Sequence, residues 1–226
     1  MKRIFIAYFA LLITTSCNHK ETFTVEGKVP DETFRGSKIY LVALDGPVSR
    51  NVDSTVIVDG SFRFESVADS LGVKILRVPV RYPDIIEDLV VVTEPGTLNV
   101  VMSDNSHGEG THLNNILQEW KEKKHAYDSI QWDLYSRKSR GRISKQASDN
   151  IMSYSIKLND IFIADIVSLQ NENMHNGIGL LLFKLYFNAL PAGEKNRILE
   201  ITGSTYSDKD AELKRMIGSD HNGEKL

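Results

Sequence analysis

The stretch TLNVVMSDNSHGEGTHLNNILQEW, residues 97–120, decides the fold class. Thr97 to Met102 reads as a strand, and Ser103 to Gly108 is polar. From Leu113 onward the apolar side chains fall three and four apart, at Leu113, Ile116, Leu117 and Trp120, which is the stripe of an amphipathic helix. The periodicity therefore changes once, and it implies an α+β chain: an N-terminal antiparallel β-sandwich followed by a C-terminal α-helical segment.

Working back from this switch, short alternating or β-branched runs are separated by turn residues. The expected strands are Phe23 to Val29, Lys38 to Leu44, Asp53 to Val58, Ser61 to Glu65, Val73 to Val78, Leu89 to Thr93 and Thr97 to Met102. Asp59-Gly60 is the dipeptide of a tight hairpin, and it places Phe62 and Phe64 on one face beyond it. Gly46-Pro47 marks a loop and Pro95-Gly96 another turn.

Working forward, the first helix is expected from about Leu113 to Arg137, with Tyr127, Ile130 and Leu134 continuing the apolar stripe. A second spans Lys145 to Asn173, with Ile151, Tyr154, Leu158, Ile161, Phe162, Ile166 and Leu169 inward. Ile178 to Leu190 is apolar nearly all round, which suits the centre of a bundle; it is too short to span a membrane and contains Lys184. Two short helices close the chain near Glu194 to Thr202 and Asp208 to Ile217, the latter with Ser207 as N-cap and Gly218 as stop.

Composition narrows the classes. The 226 residues carry 27 basic and 30 acidic side chains, 41% apolar residues, 15 glycines, 6 prolines and one cysteine. This is too apolar and too evenly charged for a disordered chain. A single cysteine makes no disulfide framework, four-cysteine zinc site or CxxC pair. A net charge of −3 gives no reason to expect nucleic acid as partner.

The start carries the most specific signal. Met1-Lys2-Arg3 is basic, Ile4 to Ile13 is ten apolar residues, and Thr14-Thr15-Ser16-Cys17 follows. A hydrocarbon layer of about 30 Å needs roughly 20 residues, so this core is the length of a secretory signal rather than a span. Small residues before a lone cysteine resemble the lipobox of bacterial lipoproteins, although Thr14 stands where that family usually has leucine. The resemblance implies cleavage before Cys17 and lipidation of its thiol. Asn18, rather than aspartate, at the next position implies the outer membrane, on a face that is not readable.

A second resemblance rests on Gly27, Lys38-Ile39-Tyr40-Leu41, Val52-Asp53-Ser54-Thr55-Val56, Asp59-Gly60-Ser61-Phe62-Arg63-Phe64 and Glu94-Pro95-Gly96. Together these look like a domain of unknown function found in bacterial envelope lipoproteins. That domain commonly precedes a thioredoxin-like, thiol:disulfide interchange module, with a helical segment between them. Leu113-Asn114-Asn115, the run from Leu181 to Leu190, Glu194 and Leu199 are similar to that helical segment. No CxxC is present, so the module's catalytic residues have no counterparts here.

Candidate chemistry is sparse. Asp53 and Ser54 are adjacent in a strand and face opposite ways, so they cannot form a nucleophile and base pair. His107, Glu109 and His112 are of metal-ligating type, but the glycines between them fix no geometry, and they read as linker residues. Asp84, Glu87 and Asp88 crowd one loop without the alternating oxygens of a calcium site, and read as solvated. Trp120 and Trp132, with Tyr127 and Tyr135, suggest a sugar platform, yet twelve residues of helix set the indoles about 120° and 18 Å apart. Trp120 reads as core. The basic run Arg137-Lys138-Ser139-Arg140-Gly141-Arg142 is either a solvated connection or a contact for anionic lipid or the acidic sheet domain. Residues 21–104 hold 8 basic and 14 acidic side chains, whereas 112–147 hold 8 and 4. Asp53-Ser54-Thr55, Asp69-Ser70-Leu71 and Asp128-Ser129-Ile130 resemble short O-glycan acceptor triplets.

The expectations are then a signal peptide over 1–16, a lipidated tether over 17–22, a β-sandwich over 23–104, a linker over 105–111, a helical domain over 112–218 and a polar tail over 219–226. The site residue is Cys17, with no catalytic or metal residue and no cofactor. The expected role is binding or assembly on the membrane, with a possible envelope protein partner and no nucleic acid. The alternatives are an accessory or degenerate part of a periplasmic thiol:disulfide pathway, or an enzyme with a site assembled from distant residues.

Overall fold

The computed structural model describes residues 21–29, 32–44, 46, 52–140 and 143–223. The expected signal peptide over 1–16, Cys17 and the expected tether as far as residue 20, residues 30–31, 45 and 47–51 with Pro47 of the expected loop, residues 141–142 of the basic run and residues 224–226 lie outside these. Among the described residues the strands are β1 (Thr22–Lys28), β2 (Lys38–Ala43), β3 (Asp53–Val56), β4 (Ser61–Val67), β5 (Asp69–Arg77), β6 (Leu89–Thr93), β7 (Gly96–Val101) and β8 (His107–Glu109). The helices are α1 (His112–Arg140), α2 (Lys145–Glu172), α3 (Gly177–Tyr186), α4 (Ala192–Lys209) and α5 (Ala211–Gly223).

The strands form two four-stranded sheets, ordered β4-β1-β7-β8 and β3-β2-β5-β6. Phe23, Val25, Phe62, Phe64, Leu98 and Val100 of the first meet Ile39, Leu41, Leu76, Leu89 and Val91 of the second in one buried core. Every pairing is antiparallel except β1 with β7, which is parallel with Val25 opposite Leu98. Local turn signals do not reveal that pairing, because the strands that make up the second sheet lie between its two partners. The Asp59-Gly60 turn has φ of 50° and 71°, and Val58 and Ser61 exchange two 2.9 Å hydrogen bonds across it. It is a corner between sheets as well as a hairpin, since β3 lies in one sheet and β4 in the other. Gly27 pairs with Phe62, whose ring lies where a side chain would be: a Cβ on Gly27 would sit 1.9 Å from Phe62 Cζ.

The β3-β2-β5-β6 sheet is the middle layer of three. Leu89 and Val91 enter the sandwich core, while Val73, Val90 and Val92 pack on the other face against a second core centred on α3. That double burial explains the uninterrupted Leu89-Val90-Val91-Val92 run. In α3, Ile178 and Leu180 to Phe183 are all buried, and Asn176 caps the helix by accepting from Ile178 N at 2.9 Å.

Three local expectations are corrected. Residues 107–109, placed in a linker, pair as β8 with β7, Val100 opposite Gly108. The break between the last helices falls at Asp210, so neither Ser207 nor Gly218 ends a helix. Ser207 Oγ donates to Gly203 O inside α4, and α5 runs past Gly218 to Gly223, into the expected tail. Asp210 is fixed there twice over, accepting from Leu213 N at 2.7 Å and pairing with the buried Lys184 at 2.8 Å. Third, Ile130, Tyr154 and Ile161 are exposed rather than inward. The 29- and 28-residue α1 and α2 outrun the ten-residue α3: Tyr127 stacks on Phe162, which still touches Tyr186 at the end of α3, and farther out Gln131 bonds to Ser155.

Candidate functional site

The two sheets expose adjacent edge strands, β6 and β8, and α1 lies across both. Its first turn is fastened there by side chains. Asn114, buried, pairs with the edge of β6 as another strand would: it accepts from Val92 N at 2.9 Å and donates to Val92 O at 2.8 Å. Glu94 Oε1 accepts from Leu113 N at 2.6 Å and Asn114 N at 3.0 Å, so a carboxylate from the β6–β7 turn caps the helix, where its charge also complements the helix dipole. Asn114 Nδ2 donates further to Thr111 Oγ1 at 2.8 Å.

Past this weld α1 lifts from the edge and leaves a cleft with a cavity of about 220 Å³. Leu89, Val91, Leu98 and Leu117 make an apolar floor, with the half-buried Trp120 beside them. Trp120 Nε1 is buried without a hydrogen-bond partner among the described residues. Gly108 lets β8 close on the floor, since a Cβ there would lie 3.3 Å from Leu89 Cδ2. In an antiparallel pair the outward groups recur every second residue. Because Val92 turns its N–H and C=O outward to Asn114, Val90 turns its own outward too. Val90 lines the cleft, and no protein group meets those two atoms among the described residues.

The rim is charged but committed. Glu87 Oε2 lies 2.5 Å from Lys121 Nζ and accepts from Ser106 N at 3.0 Å, with His125 Nε2 at 3.8 Å from its other oxygen. Lys121 also donates to Ser106 O, and Ser106 Oγ to Glu87 O at 2.6 Å. Asp88 pairs with Arg77 at 2.7 Å and Lys124 with Asp128 at 2.5 Å. The acidic loop expected to be merely solvated is thus a tie between β6, the turn before β8, and α1. No carboxylate here holds a hydroxyl or imidazole in the geometry of a nucleophile and base.

The remaining candidates are dispersed. Asp53 and Ser54 are exposed on β3, with Asp53 3.8 Å from Lys74. His107 and Glu109 lie along β8 on the open outer side of the first sheet and His112 opens α1; among the described residues no three His, Cys, Asp or Glu side chains are grouped to hold a metal ion. Trp132 and Tyr135 adjoin each other far along α1, away from Trp120. In the helical core, burial first, then the charge of Asp128 and the neighbouring Tyr127, pushes the Tyr186 phenol well above its ordinary value. Burial likewise raises Tyr206 to about 12, against the opposing hydrogen bonds of Gln170 and Thr202. Both phenols stay protonated near pH 7. Sequence reasoning missed Val90 and the roles of Glu94 and Asn114; the one available signal was an Asn-Asn pair at a helix start.

Residues 23–117 match the family described as a domain of unknown function (DUF4369), and the match ends at Leu117, in α1 on the cleft floor. No curated protein and no solved structure matches the chain. No described helix is long and apolar enough to cross a membrane.

Proposed function

We propose that this chain, with its domain of unknown function at residues 23–117, is a cell-envelope lipoprotein of the outer membrane, anchored through Cys17, that acts by binding. Its ligand is a short extended apolar peptide segment of an envelope partner, received in the cleft between β6 and α1. The observation that carries the binding site is the unpaired outward edge of Val90 above an apolar floor. A peptide strand supplies a donor and an acceptor to such an edge and apolar side chains to the floor, as in strand addition. The ion pairs that hold Glu87, Asp88, Lys121 and Lys124 at the rim support binding over catalysis.

Both halves are testable. An N-acetyl dipeptide amide of leucine and valine should quench or shift Trp120 emission. Its N-methylated analogue, unable to pair with Val90, should bind at least tenfold more weakly, and Leu117→Trp should block both. Equal binding of the two peptides, or none, refutes the site. Growth with an alkyne fatty acid should label the native chain and leave Cys17→Ala unlabelled; label on the alanine form refutes the anchor.

A further inference from the structure

The far end of the α1–α2 pair carries a second surface, separate from the cleft. Trp132 is 66% exposed and Tyr135 63%, with ring centroids 5.7 Å apart. On α2, Met152 and Ile156 are one turn apart and each about half exposed, and Lys138 Nζ reaches Met152 Sδ at 3.8 Å, which brings them to the same flank as the aromatic pair. Twelve residues of helix put Trp132 about 18 Å along the axis from Trp120.

Charge selects the partner. Residues 136–148 contain five basic and no acidic side chains, in a chain whose net charge is −3. Of these, Arg137, Lys138 and Lys145 are exposed. Asp133 answers Arg137 at 2.8 Å, and the next acid, Asp149, is a turn into α2. A face built for another protein typically has a rim of both signs around its apolar centre. Here indole, phenol and aliphatic groups share a tip with an excess of cations, Asp133 being offset by Arg137, which is the chemistry of a headgroup layer: amphipathic rings at the interface and Lys or Arg over anionic lipid.

We propose that this tip is a membrane-docking surface that inserts Trp132 and Tyr135 into the headgroup layer of an anionic phospholipid membrane, steered by Arg137, Lys138 and Lys145. The surface stands independently of the peptide cleft. Beside a lipidated Cys17 it would be a second contact, fixing the orientation of the body as well as its location.

The test uses the full chain, purified in detergent and reconstituted into phosphatidylcholine vesicles with and without phosphatidylglycerol. The chain has two tryptophans, so Trp120→Phe leaves Trp132 as sole reporter, and the difference between the native chain and Trp132→Phe supplies the same signal if Trp120→Phe does not fold. With phosphatidylglycerol present, Trp132 emission should move to shorter wavelength and be quenched by brominated acyl chains. High salt should reverse this. Each cation is worth about a fivefold gain in partition, so Arg137→Glu with Lys138→Glu should weaken the signal by at least about 25-fold. Trp132 equally open to aqueous iodide in both vesicles overturns the proposal. So does equal burial in both, or a shift that follows protein density rather than lipid charge, which would mark self-association.

Discussion

Replacing Asn114 by alanine removes the carboxamide that completes the edge of β6, and the structure sets the size of the effect. Val92 is fully buried, and both of its outward groups bond only to Asn114, at 2.9 and 2.8 Å. A buried backbone group left without a partner costs about 1–3 kcal/mol, so two give about 2–6 kcal/mol. The neighbouring cleft can admit water to the truncated site, which moves the expectation to about 3 kcal/mol. For a chain of this size that is a fall in Tm of roughly 6–12 °C. Asn114→Asp should do no better. It keeps an acceptor for Val92 N–H but loses the donor to Val92 O, and it sets a second carboxylate beside Glu94 Oε1, now 3.4 Å from Asn114 Nδ2. Asn115→Ala is the control: exposed, and accepting one bond from Gly110 N at 2.9 Å, it should cost under about 1 kcal/mol. Urea unfolding followed by far-ultraviolet circular dichroism measures all three. An Asn114→Ala form within about 0.5 kcal/mol of the parent, or an Asn115→Ala form equally damaged, would show that the weld does not hold the edge.

Three further outcomes are expected. Gly27→Ala must displace the Phe62 ring, and should cost about 1–3 kcal/mol in the same unfolding assay with a changed aromatic circular dichroism signal. Lys184→Met leaves Asp210, 11% exposed, without its cation and should cost about 3–5 kcal/mol; adding Asp210→Asn should restore part of it, and no recovery in the double mutant would refute the pairing. For Asp69, burial raises the pKa, but the hydrogen bond from Lys209, those from the backbone of Leu71 and Gly72 and the charge of Lys209 together outweigh it and hold the carboxyl below 3.8. A depressed carboxylate stabilises the fold above its unfolded value and loses that contribution as pH falls through the folded one. Lys209→Ala should therefore lower stability near pH 7 by about 0.5 kcal/mol, small because both partners are over 40% exposed, with the difference vanishing in acid.

The strand-to-helix switch was legible because each half buries one face against a nearby layer, and burial writes a period into sequence. Phe62 and Phe64 follow the Asp59-Gly60 turn as that rule requires, both buried with rings 6.2 Å apart. The rule fails where layers end. Ile130 and Tyr154 keep the helical period but extend beyond α3 into solvent, and Ile161, beside a Phe162 that packs on Tyr186 of α3, is itself exposed. It is silent on side chains that act as backbone: Asn114 and Glu94 hold β6 to α1 across some twenty residues with no periodic trace. The same silence hid Val90, whose role lies in its main chain, and the Asp210 break, which depends on a lysine 26 residues earlier. The parallel partnership of β1 and β7 was hidden for a related reason, since no local turn announces it.

The middle position of the β3-β2-β5-β6 sheet has a consequence for the chain as a material object. Val73, Val90 and Val92 have the helices as their only cover, so a fragment cut at the apparent joint near residue 105 would bare a broad oily wall and clump when expressed. What the alphabet divides into two halves should melt as one: scanning calorimetry would record a single heat-absorption peak.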